Sequence, residues 1–432
     1  MTDIYEIAEY TLKALKNCGA DAAQCIVGRS KKDELNVDGG KFSLMRSTFN
    51  TSISMKAIKG GKKGVTSINQ ATKEAIDEAA AQCIAAAESS VPDEAEQIAP
   101  FTAKVEYKTG VFEPDLNKLF DRIEEFMSQT KKEYPKVILE QLISDYEHSE
   151  KLYMNTNGTS LRYEHGEYSF NTMFSAHEGE KASSFNGYFC ALDNLDKPFM
   201  DAGMQRQLLE ESEKQLNTVS PSEKFVGKVI YSPDCFNELL QTALENFASS
   251  GVLIDGTSPW KDALNTKVAS EKLNLRSVPL DGRTVVGQRF TSDGYPAENM
   301  DIIVDGVLKT FILSQYGANK TGFPRALNGG NNLEGLPGDK TLEEMISGID
   351  RGLIVNRFSG GQPSSNGDFS GVAKNSFLIE NGKVSSAVSE TMISGNIIDM
   401  LNNIVAISKE QTTDGLSFMP WAEFDGVTVS GK

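Results

Sequence analysis

Residues 175–181 read "SAHEGEK", with His177 directly before Glu178. That order opens the zinc-peptidase motif H-E-x-x-H, in which two histidines hold the metal and the glutamate activates its water. Lys181 stands where the second histidine would be. The chain has three histidines, and His148 and His165 lie in similar acidic settings, "YEHSE" and "YEHGE". Three imidazoles brought together would make a zinc set. The five cysteines, Cys18, Cys25, Cys83, Cys190 and Cys235, are scattered without a C-x-x-C pair. They suggest neither a disulfide framework nor a zinc ribbon, and the odd count fits a reducing compartment.

Whether the histidines can meet depends on the elements that carry them. From about 136 to 192 the sequence predicts an antiparallel meander, with turns at "YEHSE", "NTNG", "YEHGE" and "AHEGEK". Successive turns of a meander fall at opposite ends of the sheet. His148 and His165 would then share one end and His177 the other, which leaves a two-histidine metal site as one option. H-E-x-x-H also requires a helix, so that both histidines face one side. Around His177 the pattern is instead two runs rich in Phe, Ser and Thr separated by Gly179. It predicts a hairpin with "EGE" at its tip. Cys190 lies far along the returning strand, which speaks against a Cys–His nucleophile pair.

The remaining pattern predicts an α+β protein. Ile4, Ile7, Ala8, Leu12 and Leu15 recur at helical spacing before Gly19. "AAQCIVGRS" and "SISMKAI" predict strands, and "KGGKKG" predicts the turn into "VTSI". Residues 71–88 and the segment with Leu116, Leu119, Phe120, Ile123 and Phe126 predict two more helices. A further helix, "MQRQLLEESEKQL", precedes the linker-like "NTVSPSEK". We therefore expect two domains: residues 1–220 as an α/β domain with an antiparallel sheet, and residues 221–432 as a β-rich, mostly antiparallel domain. The second opens with strand "KVIYS" and a helix from Pro233 to a stop at Gly251. Asp305-Gly306 and Asn381-Gly382 suit two-residue hairpin turns. Two Gly-rich loops, 324–340 and 358–370, are longer than simple connections require.

Composition narrows the function classes. At 432 residues and a net charge of −17, the chain is long enough for sizeable cores and too acidic to suit wrapping nucleic acid. No apolar run approaches the ~20 residues of a membrane helix. The opening residues lack the basic and apolar regions of a secretory signal. Cytoplasmic location is the expectation. No P-loop, dinucleotide fingerprint or G-x-S-x-G elbow is present.

The blocks "DGVLKTFIL", "GDFSGVAKNSFLIENG" and "SETMISGN", together with the opening helix and "GAD", resemble the TldD/PmbA (TldE) family across nearly the whole chain. The resemblance implies two domains and roles described as modulation of DNA gyrase, peptide maturation or metalloproteolysis. Its TldD branch carries H-E-x-x-x-H on a helix early in the second domain, plus a late cysteine, as zinc ligands. The PmbA/TldE branch lacks them, and the two resemble subunits of one heteromeric protease. Setting the family's "LLHEAVGH" over "LLQTALEN" puts Gln241 and Asn246 at the ligand positions and Thr242 at the catalytic glutamate's. No histidine follows His177 and no cysteine follows Cys235. Amides are weak zinc ligands, and a threonine does not act as a general base at neutral pH. The chain thus resembles the PmbA/TldE branch.

The same helix also reads simply as amphipathic, with Phe236, Leu239, Leu240, Leu244 and Phe247 as core. In "SETMISGN", Glu390, Ser394 and Asn396 suit either capping and turn chemistry, the simpler reading, or the lining of a substrate cleft. The expectation is a subunit without cofactor of its own, shaping the chamber in which a zinc-bearing TldD-like partner cuts unfolded peptides. Strand addition at a sheet edge would hold such peptides. Dimers are expected. The alternatives are an enzyme with an atypical metal site using the histidines, and a non-catalytic regulator of a protein target such as gyrase.

Overall fold

The computed structural model describes residues 3–221, 223–389 and 391–431. The first half is built on one sheet and the second on another, giving the α+β architecture expected. The first half runs α1 (Ile4–Asn17), β1 (Ala22–Asp38), β2 (Lys41–Lys59), β3 (Lys62–Ile68), α2 (Lys73–Ser89), β4 (Lys104–Gly110), α3 (Leu116–Glu133), β5 (Val137–Asn155), β6 (Ser160–Glu178), β7 (Lys181–Ala182), β8 (Asn186–Leu192) and α4 (Gln205–Lys214). Each of the first three helices starts where a side chain satisfies free backbone N–H groups. Asp3 accepts from Tyr5 and Glu6, Thr72 from Ala75, and Asp115 from Lys118.

The sheet order is β3-β2-β1-β5-β6-β4, and β7 and β8 also pair with β6. Neighbours are antiparallel except β4, which runs parallel to β6. Strand residues alternate between faces. Val27, Ile53 and Leu152 on one face pack with Ile7, Leu15, Ile76 and Ile84 of α1 and α2. Further along that face, Leu35 and Leu142 pack with Leu119, Ile123 and Phe126 of α3. The opposite face carries Gly28, Ser30, Lys151 and Tyr163, which line a cleft towards the second half.

The second half runs β9 (Thr218–Val219), β10 (Phe225–Tyr231), α5 (Pro233–Phe247), α6 (Ser250–Ile254), β11 (Leu275–Ser277), β12 (Met300–Val304), β13 (Val307–Leu308), α7 (Gln315–Thr321), β14 (Leu333–Gly335), α8 (Leu342–Ser347), β15 (Arg351–Val355), β16 (Arg357–Gly360), β17 (Asp368–Lys374), β18 (Ser376–Glu380), β19 (Lys383–Val388), β20 (Thr391–Asn396), α9 (Ile397–Asn402), β21 (Ile404–Thr413) and β22 (Phe418–Ser430). Its sheet order is β13-β12-β11-β14-β22-β10-β15-β18-β19-β9, with β20 and β21 also on β22. Most pairs are antiparallel; β10–β15, β14–β22 and β9–β19 are parallel. Ile230, Ile354, Phe377 and Trp421 of this sheet share one core with Phe170, Tyr188 and Leu208 of the first half.

Both predicted two-residue turns form. Asp305 and Gly306, and Asn381 and Gly382, all have positive φ, as this turn demands. Two expectations need correction. Gly251 does not stop the long helix: α5 ends at Phe247, and Gly251 lies inside α6, which starts after Ser249. The meander is also coarser than predicted. "YEHSE" and "YEHGE" are not turns but the middles of the 19-residue strands β5 and β6. Their charged residues sit on faces where partners from neighbouring strands pair them, as Glu150 of β5 pairs with Arg162 of β6 and Glu164 of β6 with Lys108 of β4. "NTNG" does turn the chain between β5 and β6, and Gly179 does turn it at the "EGE" tip, where Glu178 opposes Lys181.

Candidate functional site

The register decides what the histidines can do. His148 opposes Gly166 and His165 opposes Ser149, so the two histidines point to opposite faces of the sheet. His148 meets Glu164 at 3.1 Å. His165, 2% exposed, bonds Thr109 through Nδ1 and lies 3.3 Å from Glu167 through Nε2. Burial lowers the pKa of His165. His177 bonds Ser175 near the hairpin tip. No two of the three share a site. Among the described residues, no group of three or more His, Cys, Asp and Glu side chains is placed to hold a metal ion.

Three adjoining hollows lie instead around α5. Ser232 accepts from the N–H of Cys235, and Pro233 occupies the first turn, so the helix start is fixed. Phe236, Leu239, Leu240, Ala243, Leu244 and Phe247 form the buried stripe. Phe236 meets Phe424 of β22 edge-on at 5.9 Å, and Phe247 meets Trp260 at 5.1 Å. That stripe commits the opposite, polar face of α5 to three adjoining hollows.

The largest, about 680 Å³, separates the first sheet from the second half. Its sheet wall includes Gly28, Ser30, Lys151 and Tyr163; its other wall includes Asn237 and Gln241 of α5, the 286–290 segment and Asn331. The Lys151 ammonium lies 5.8 Å from the Phe290 ring and the Arg289 guanidinium 5.8 Å from the Tyr163 ring. Loss of solvent lowers the pKa of Lys151. A second hollow, about 450 Å³, shares Asp414 with the first and adds Asp234, Glu238, Asn356 and Tyr188. Here the carboxylates crowd one another. Burial by the surrounding walls, with Asp414 and Glu238 adding repulsion, pushes Asp234 up to about 6. Glu211 behind it is pushed up to about 7 by burial and accepts from Asn356 Nδ2 at 2.7 Å. The third hollow, about 250 Å³, lies under the Gly-rich 358–363 segment and includes Thr242 and Cys235. Burial pushes the Cys235 thiol up to about 12, so it is not a thiolate.

The three helix positions singled out in the sequence therefore part company. Gln241 opens on the first hollow and Thr242 on the third. Asn246 turns back and donates to the carbonyl of Thr242 at 2.9 Å. Residues five apart lie about 140° apart around a helix. Ser394 sits on β20 opposite Ser370 and Thr428. Asn396 caps α9, accepting from Ile398 and Asp399, while its Nδ2 donates to Asn366 and Asp368. Glu390 lies outside the described residues. The sequence reading passed over Lys151, Arg289, Asp234, Glu238 and Asp414. The i, i+4 pair Asp234 and Glu238 on the polar face of α5 was the one readable signal.

Residues 224–431 match the PmbA/TldA metallopeptidase C-terminal domain, and residues 23–87 match PmbA/TldA metallopeptidase domain 1. The chain belongs to the PmbA/TldD family. Among similar curated proteins of that family is a metalloprotease of Methanocaldococcus jannaschii, 27% identical over 45% of this chain and 46% of its own length. Another is metalloprotease PmbA of Escherichia coli O157:H7, 31% identical over 35% of this chain and 34% of its own length. The matched stretch thus spans about half or less of these relatives. Among solved structures, TldE from Thermococcus kodakarensis has a TM-score of 0.84 at 22% identity, covering 98% of this chain and 100% of that one. A proposed modulator of DNA gyrase from Bacteroides thetaiotaomicron has a TM-score of 0.83 at 23% identity, covering 100% of both. This PmbA/TldD chain shares their fold. Among its described residues no helix is long and apolar enough to cross a membrane.

Proposed function

We propose that this PmbA/TldD-family chain is the zinc-free subunit of a two-subunit metallopeptidase, holding an extended peptide in the cleft between its first sheet and α5 while a zinc-bearing relative cuts it. One observation carries the reading: the polar face of α5 presents Asn237, Gln241 and Thr242 to the hollows. Zinc takes imidazole, thiolate or carboxylate donors in a convergent set. Two amides and a hydroxyl that open on different hollows, beside a protonated buried thiol, do not fit that ion. What the walls do offer is peptide chemistry. Asn237 Oδ1 is buried without a partner, as an acceptor for a peptide N–H would be. Amide side chains on both flanks can bond an extended backbone, and a cleft of about 680 Å³ lies within the roughly 300–1,000 Å³ of ordinary ligand sites.

The family's metalloprotease names support the partner half of the proposal. The chain alone is expected to leave peptides intact. Mixed with an H-E-x-x-x-H relative, it should co-elute on size exclusion and raise the rate of cleavage of an unfolded peptide. A relative that neither binds it nor cuts faster in its presence overturns the proposal.

A further inference from the structure

The chain carries a net charge of −17, yet Lys151 faces the largest cleft without a counter-ion. Among the described residues its ammonium forms no ion pair, and its neighbour is the ring of Phe290. The carboxylates that lie close in sequence or space are already engaged. Glu150 borders the cleft too, but its side chain alternates to the other face of β5 and accepts from Arg162 at 2.7 Å. Asp414, at the cleft's margin, has its Oδ1 occupied by the N–H groups of Leu416 and Ser417 at 2.8 and 2.7 Å. Arg289 reaches the same cleft. Its guanidinium lies over Tyr163, which opposes Lys151 directly in the sheet register. Arg289 donates from Nη1 to the carbonyl of Pro279 at 3.0 Å, while its Nε is buried without a partner. Two cations over two adjacent rings of one cleft, with one buried donor unspent, make a site for an anion of carboxylate size.

We propose that Lys151 and Arg289 form a carboxylate-binding pocket that takes an acidic group of the peptide held in the cleft, either its C-terminal carboxylate or an Asp or Glu side chain. The inference rests on the peptide reading above and names what fixes the peptide's position. An ammonium already stripped of part of its water, and paired with no carboxylate among the described residues, gains more from a ligand carboxylate than an exposed, paired lysine would. The acidic hollow on the far side of Asp414 repels the same group, so the carboxylate has one place to settle.

Calorimetric titration with four N-acetylated hexapeptides of one neutral sequence tests this. One pair ends in a free carboxylate or an amide; the other pair is amidated and carries Glu or Gln at the third position. At least one acidic member should bind tenfold or more tightly than its neutral twin, and which pair differs identifies the source. Lys151→Met should erase the difference and Lys151→Arg should keep most of it. Equal affinities within both pairs overturn the pocket, as does a preference that survives Lys151→Met. A second readout separates this inference from the peptide reading. The ¹³C-dimethyl-lysine NMR signal of Lys151, identified by its loss in Lys151→Arg, should move with N-acetylglycine and stay put with N-acetylglycinamide. If it moves while no hexapeptide binds, the peptide reading fails and the pocket stands. If hexapeptides bind without preference and the signal stays still, the pocket fails and the peptide reading stands.

Discussion

The two larger hollows beside α5 share Asp414 and a helix, yet they treat charge in opposite ways. One is lined by Lys151 and Arg289 and holds unspent hydrogen-bonding atoms at Asn237 and Arg289. The other gathers Asp234, Glu238 and Asp414, with Glu211 protonated more readily than usual behind them. A helix whose polar face borders both can fix the direction of an extended ligand without a metal or a nucleophile. Charge polarity along a cleft is what these two hollows offer.

The bluntest way to break the comparison is to remove its shared foundation. Phe236→Ala deletes a fully buried ring against Phe424 and should cost about 3–5 kcal/mol in denaturant unfolding, disturbing both hollows together. Next in size is the asymmetry itself. Lys151→Met should forfeit a tenfold carboxylate preference, about 1.4 kcal/mol, whereas Glu238→Gln should leave that preference within about twofold. Asn396 supplies a control away from both hollows. Asn396→Ala should cost about 0.5–2 kcal/mol through the lost cap of α9 and leave peptide affinity unchanged. A fall in affinity would restore the cleft-lining reading of that residue.

The smallest expected effect is on pH dependence. Asp234 is raised from 3.8 to about 6, so the folded chain holds this proton more tightly than the unfolded chain. The stabilisation is complete below about pH 4 and lost as pH rises through about 6. Wild-type Tm should therefore fall over that window more than the Tm of Asp234→Asn. Parallel curves would mean that burial and the neighbouring carboxylates do not raise Asp234 in the folded chain.

Much of the fold was legible because its signals are local. Asp3, Thr72 and Asp115 cap helices within three residues of themselves, and Asp305-Gly306 and Asn381-Gly382 need only their own positive φ. The amphipathic stripe of α5 likewise declared its core from Phe236 to Phe247. The "YEHSE" and "YEHGE" segments misled because charged residues look like turns until neighbouring strands supply Arg162 to Glu150 and Lys108 to Glu164. The cleft was illegible for a related reason. Lys151, Tyr163, Gln241, Arg289 and Asp414 come from distant stretches that only the packing of two sheets assembles. Lys151 in particular stands out because it forms no ion pair among the described residues, and an absence of that kind exists only in three dimensions.

The central claim is that this cleft serves a partner's catalysis by holding the peptide. The direct measurement is peptide turnover by an H-E-x-x-x-H relative with no added chain, with wild-type chain, and with a Gln241→Trp chain whose cleft is filled. The account predicts that wild-type chain raises turnover and that the blocked variant, still co-eluting with the relative, does not. Equal stimulation by the blocked variant, or full turnover by the relative alone, would contradict it.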